Sequence, residues 1–203
     1  ATAWAVAEAE KRGYVPFVPG MAVNPGNKIY YNNRGKAIAL AVIGTESLAH
    51  GANICAAHVD SPRMDLKPNP LYEDSEIAYF KTHYYGGIKK YQWPTLPLAL
   101  HGVVCCKDGR TVNVTIGEDP ADPVLMISDL LPHLAADQMQ KTAGQVIAGE
   151  QLNVILGTEP IEGEGSDLVK LNIMKWLNEK YGIVESDFLS AELNIVPAGK
   201  CRE

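Results

Sequence analysis

A chain of 203 residues that is 46% hydrophobic can bury a substantial core, arranged as one large domain or two small ones. Its formal net charge is -6, its pI is near 5.4, and no run of basic residues is long enough to follow a phosphate backbone, which argues against a nucleic-acid partner. No apolar stretch reaches the roughly 18 to 20 residues that span a bilayer, and the alanine-rich start carries no basic leader, so a soluble cytoplasmic protein with no membrane partner is expected.

Ala3 to Arg12 is rich in helix formers and stops at Gly13, a residue able to close a helix in the left-handed conformation. A loop punctuated by Pro16, Pro19, Gly20, Pro25 and Gly26 follows. KIYYNN and KAIALAVIG, separated by Arg34-Gly35, then read as a β-hairpin. Asn53 to His58 is nearly continuous in apolar residues, which predicts a central strand buried on both faces of an α/β sheet.

Past Lys67-Pro68-Asn69-Pro70 the texture becomes β-rich. SEIAYFKTHYY, LALHGVVCCKDGRTVNVTIG and PVLMIS have strand character, with Asp108-Gly109 as a hairpin turn. Helical texture returns in DLLPHLAADQMQ and in SDLVKLNIMKWLNEKYG. In the latter, Val169, Ile173, Trp176 and Lys180 recur at helical spacing, Ser166 or Asp167 is a fitting N-cap, and Gly182 ends the run. QLNVILG and FLSAELNIVP flank this helix as strands. Four cysteines, Cys55, Cys105, Cys106 and Cys201, fit no zinc-ribbon spacing and are expected as reduced thiols.

His58 and Asp60 stand two apart at the end of the apolar run. On a strand both side chains would face one side, an arrangement that suits a metal-ligating imidazole and the carboxylate that orients it. The plainer alternative is a strand-end histidine with one hydrogen bond, Asp60 opening the turn into Ser61-Pro62; the spacing alone favours that alternative. His50, His83 and His101 have no carboxylate or cysteine at ligand spacing and read as structural. Gly86-Gly87 lacks a dinucleotide fingerprint, so a turn or close packing explains it better than phosphate binding.

HVDSPRMDLKPNP, then YYGGIKKYQW, the PHLA of LLPHLA, and ELNIVPAG together resemble the aspartyl aminopeptidase family of dinuclear zinc exopeptidases, in order from about Gly13 to the end of the chain. The resemblance implies that His58 ligates one of two zinc ions and that Asp60 orients it without binding metal. It implies an α/β fold: a mixed central sheet of a catalytic domain, interrupted by a β-rich dimerisation domain. The catalytic domain's first part is expected over 1–70, the inserted domain over 71–184, and the return into the catalytic domain over 185–203. The implied activity is hydrolysis of the N-terminal residue of peptides, acidic residues favoured, in a homo-oligomer often of twelve subunits.

The sequence departs from that pattern in two places. It has no adjacent glutamates, and the family's remaining metal ligands and general base follow a strand that here ends at NIVPAGKCRE. The chain is therefore expected to be the N-terminal portion of a longer enzyme and inactive by itself. In LPHLAADQM, relatives often carry a second histidine four residues after His133; Asp137 stands there, which puts in doubt a substrate-binding role for His133 or Asp137 at a neighbouring subunit's site. A non-catalytic oligomerisation or peptide-binding protein of the same fold is the competing reading.

Overall fold

The computed structural model describes residues 1–199, so Cys201 lies outside the described residues. The chain forms two compact units that divide between Ser61 and Pro62.

In the first unit, helix α1 (Thr2–Lys11) is closed by Arg12, with Gly13 at φ 79. Strands β1 (Val15–Pro16), β2 (Lys28–Asn33) and β3 (Ala37–Val42) make a mixed sheet in that order, β1 parallel to β2 and β2 antiparallel to β3. The hairpin turns where expected: Arg34 and Gly35 both have positive φ, and Lys36 N–H bonds to the Asn33 carbonyl at 3.0 Å. That twist matches the strands it joins. Ala9 of α1 and Tyr30 of β2 are buried, and the Tyr30 hydroxyl donates to Glu10 Oε1 at 2.7 Å, which ties helix to sheet.

The strand expected at Asn53 to His58 does not form. Residues 51–62 have no regular structure and are exposed throughout, Ile54 to 87%. A strand buried on both faces needs paired neighbours and a covering layer, and among the described residues no strand pairs with this run.

From Pro62 onward the second unit is built on a six-stranded sheet: β4 (Arg63–Asp74), β5 (Ile77–Tyr85), β6 (Leu98–Cys105), β7 (Thr111–Ile116), β8 (Val154–Gly157) and β9 (Ala191–Pro197). The order is β7-β6-β9-β4-β5-β8, every neighbouring pair antiparallel. The second unit takes in residues on both sides of positions 70 and 185. Lys67 to Pro70 is no linker but the interior of β4, at the register shift between Leu66 and Leu71. Prolines lack the ladder N–H and are accommodated where pairing is interrupted. The segment after 185 enters this same sheet, β9 lying between β6 and β4.

The β6–β7 hairpin turns at Asp108-Gly109, with Gly109 at φ 88 and its N–H on the Cys106 carbonyl at 3.0 Å. PVLMIS contributes only the isolated bridges Leu98–Leu125 and Met126–Ile155. DLLPHLAADQMQ yields one helical turn, α2 (Ala136–Met139), where a longer helix was expected. Leu130, Leu131 and Leu134 are exposed, so the segment buries no apolar stripe that would support a helix. Helix α3 (Leu168–Tyr181) begins after Asp167 and ends at Gly182 in the left-handed conformation. Its Val169 and Leu177 join a core that includes Phe80, Leu98, Ile116, Leu125 and Ile195, each worth about 1.5–3 kcal/mol on full burial.

Candidate metal centre

The His58 ring lies beside Asp60. Its Nδ1 is 2.8 Å from the Asp60 backbone carbonyl and 3.6 Å from the carboxylate Oδ1. A carbonyl only accepts, so Nδ1 carries a proton, and in the neutral ring the lone pair is then on Nε2. This is the tautomer a zinc-binding imidazole uses, with the second ring nitrogen held by a carbonyl or carboxylate. The juxtaposition expected of the pair is present, with two differences: the segment is not a strand, and the short contact is to the carbonyl. The side chains are 80% and 52% exposed.

One donor does not make a centre. Among the described residues no group of three or more His, Cys, Asp or Glu side chains gathers to hold a metal. His133 and Asp137 lie in the second unit, both exposed. Asp137 lines a cavity of about 530 Å³ together with Tyr72, Tyr79, Asp129, Lys141 and Glu150, and His133 is not part of that lining. Tyr72 stacks on Tyr79 with ring centroids 5.2 Å apart, and burial pushes its phenol above the usual value. The Lys67 ammonium bonded to Glu150 at 2.9 Å holds that carboxyl below its usual range.

Two of the histidines read as structural do have carboxylate partners. His50 Nδ1 is 3.2 Å from Glu46 Oε2, a separation of four residues that a sequence search for helical pairs would have found. His101 Nε2 is 3.0 Å from Oε1 of Glu118, a residue two positions past the end of β7 and 17 from His101 in sequence. His83 stacks on Tyr84 at 5.7 Å. A single histidine with a single carboxylate is short of the three or four ligands zinc takes from protein.

Residues 12–202 match the family model for aminopeptidase I zinc metalloproteases (M18). The chain belongs to the M18 family. A curated relative from Clostridium acetobutylicum, named Probable M18 family aminopeptidase 1, is 56% identical over 200 residues that cover 96% of this chain and 43% of that protein. The crystal structure of an M18 aminopeptidase from Thermotoga maritima superposes with a TM-score of 0.87 at 46% identity, covering 97% of this chain and 43% of that one. The structure of the yeast mApe1 dodecamer shares the fold with a TM-score of 0.61 at 15% identity, covering 97% of this chain and 44% of that chain. The chain thus spans less than half the length of the M18 proteins it matches. For a zinc enzyme family the donor chemistry of His58 fits: its tautomer offers Nε2 as one ligand, and the described residues supply no complete set.

Proposed function

We propose that the whole protein is a zinc-dependent aminopeptidase in which His58 is a metal ligand and Asp60 its orienter. The observation that carries this is the 2.8 Å bond from His58 Nδ1 to the Asp60 carbonyl, which leaves Nε2 as the coordinating atom. Zinc in such a site supplies Lewis-acid polarisation of the scissile carbonyl and activation of water. His58 contributes position and donor strength; Asp60 fixes the ring through its carbonyl and keeps its carboxylate within 3.6 Å of Nδ1.

The finer reading is two zinc ions per site, N-terminal acidic residues of peptides as preferred substrate, a cytoplasmic location, and assembly of like subunits. M18 membership supports the metal and the hydrolytic class. The yeast dodecamer, alike in fold, supports a homo-oligomer. We assign residues 71–184 the subunit contacts, since exposed Leu130, Leu131, Leu134 and Met139 sit together on that stretch. His133 is the candidate from the same stretch for reaching a substrate. Family membership favours the enzyme over a non-catalytic scaffold.

The test is made on the full-length protein. Zinc content and hydrolysis of N-terminal glutamyl and leucyl chromogenic amides are measured for wild type and His58→Ala. Loss of both metal and turnover in a variant that still folds is expected. Full zinc occupancy in His58→Ala would rule out the assignment, and the 203-residue chain alone should show no zinc-dependent turnover.

A further inference from the structure

Strand β7 is an outer strand of the six-stranded sheet, and among the described residues no strand pairs with its far side. Its sequence, TVNVTI, is uncharged, free of proline and β-branched but for Asn113, the kind of edge onto which a strand from another molecule can add. The opposite edge, β8, is partly covered, since Ile155 N–H donates to the Met126 carbonyl at 2.8 Å. What lies along β7 is the last turn of α3.

Lys180, Tyr181 and Gly182 fasten to successive points on that side. The Gly182 carbonyl accepts from Arg110 Nη2 at 3.1 Å, just before the strand begins. Thr115 N–H donates to the Tyr181 hydroxyl oxygen at 3.3 Å, and that hydroxyl donates to the Thr115 carbonyl. The Lys180 ammonium pairs with Asp122, whose other oxygen accepts from the Gly117 N–H at 3.0 Å, just past the strand.

Both Thr115 groups must point away from β6 to reach one hydroxyl. In an antiparallel ladder the outward-pointing residues alternate, so Thr111 and Asn113 turn their N–H and carbonyl groups the same way. An added strand would hydrogen-bond to these residues, and β7 of a second copy, paired antiparallel about Asn113, is self-complementary. At Thr115 a phenol already stands in for that strand, donating and accepting as a backbone would. With Thr115 closed, Thr111 and Asn113 alone make too short an edge for a stable added strand.

We propose that the end of α3 is a built-in block on the β7 edge, the Tyr181 hydroxyl holding the backbone groups that a strand of a second copy would otherwise pair with. The block confines self-association to other surfaces and keeps a homo-oligomer closed, where an open edge would let sheets join one to the next. It depends on no metal and on no residue before Pro62.

The experiment uses the full-length protein. Association is followed by light scattering over a concentration series, with the melting temperature measured alongside. Tyr181→Phe, which removes only the hydroxyl, should form species heavier than the wild-type oligomer about tenfold faster, the change in open-edge population that a lost hydrogen bond brings. Adding Asn113→Lys, which places a charge on the same edge, should return the rate to that of wild type without restoring the melting temperature. Wild-type association by Tyr181→Phe would overturn the proposal. So would faster association that Asn113→Lys does not reverse, since lost stability and not an open edge would then be its cause. Should Tyr181→Phe not fold, hydrogen exchange on the wild type decides: the Thr115 amide should exchange about tenfold more slowly than those of Thr111 and Asn113, and equal rates would overturn the block.

Discussion

Glu73, near the end of β4, accepts a hydrogen bond at Oε2 from the backbone N–H of Lys170 at 2.8 Å. Lys170 is in the first turn of α3, whose N-cap residue Asp167 is left-handed and makes no side-chain cap bond. A carboxylate from a strand therefore does the capping that the helix's own N-cap residue does not. Replacing Glu73 by Ala should cost about 1 kcal/mol in urea unfolding, since a first-turn N–H loses its partner and the helix N-terminus its anion. Glu73→Gln should keep most of the bond. An unchanged midpoint in Glu73→Ala would show that water replaces the cap at no cost.

Asp122 is the second carboxylate with structural work. Its side chain is 5% exposed; burial pushes its pKa up, but the Lys180 ammonium bonded to it and the Gly117 N–H at 3.0 Å bring it below the usual carboxylate range. A depressed folded pKa stabilises above the unfolded value of about 3.9 and loses that contribution as pH falls through the folded pKa. Lys180 has the opposite sign: its pKa is raised, chiefly by Asp122, so its share is present below about 10.4 and lost as pH climbs through the raised value. Asp122→Asn should thus lose about 1–3 kcal/mol at neutral pH. The gap from wild type should stay constant between pH 7 and 5 and close only in more acid solution. A gap that closes already near pH 6 would contradict the assignment.

The β6–β9 pairing depends on Gly102. With φ +150, a Cβ at this position would lie 1.9 Å from the Glu192 carbonyl oxygen and 3.0 Å from the Leu193 Cα, both backbone atoms. Neither can move without breaking the ladder that runs from Leu98–Pro197 to Val104–Ala191. Gly102→Ala should cost about 3 kcal/mol or more, from overpacking and backbone strain together. Purified variant with a wild-type melting temperature would mean that β9 can shift register.

What could be read in the sequence was what is encoded locally. Arg34-Gly35 and Asp108-Gly109 specify their hairpins because turn chemistry acts over four residues, and Gly182 ends α3 by its own left-handed conformation. The pairing of β9 with both β4 and β6 was not legible: Met64 meets Ile195 across most of the chain, and no local signal announces such a partner. The same holds for Lys67 to Pro70, where two prolines read as a boundary but sit at a bulge inside a strand. Asn53 to His58 carries the composition of a buried strand, yet strand formation needs neighbours, and composition does not provide them. At the candidate site the His58–Asp60 spacing was readable because the contact is local; that the short bond goes to the carbonyl depends on a backbone path that alternation along a strand does not describe.

That last difference separates the effects of substituting the pair. The His58 ring is held by the Asp60 backbone at 2.8 Å and only approached by the carboxylate at 3.6 Å. A carbonyl survives any side-chain change, so Asp60→Asn in the full-length protein should keep the Nδ1–H tautomer and bind zinc within about tenfold of wild type, the lower end of what orienting partners contribute. Asp60→Ala should be little worse in affinity for the same reason. His58→Ala removes the donor atom and should abolish binding at that metal position. The measurement is zinc affinity by chelator competition for the three variants in parallel, with circular dichroism to confirm folding. If Asp60→Asn loses zinc as completely as His58→Ala, the carboxylate does more than orient, and the carbonyl bond is not what fixes the ring.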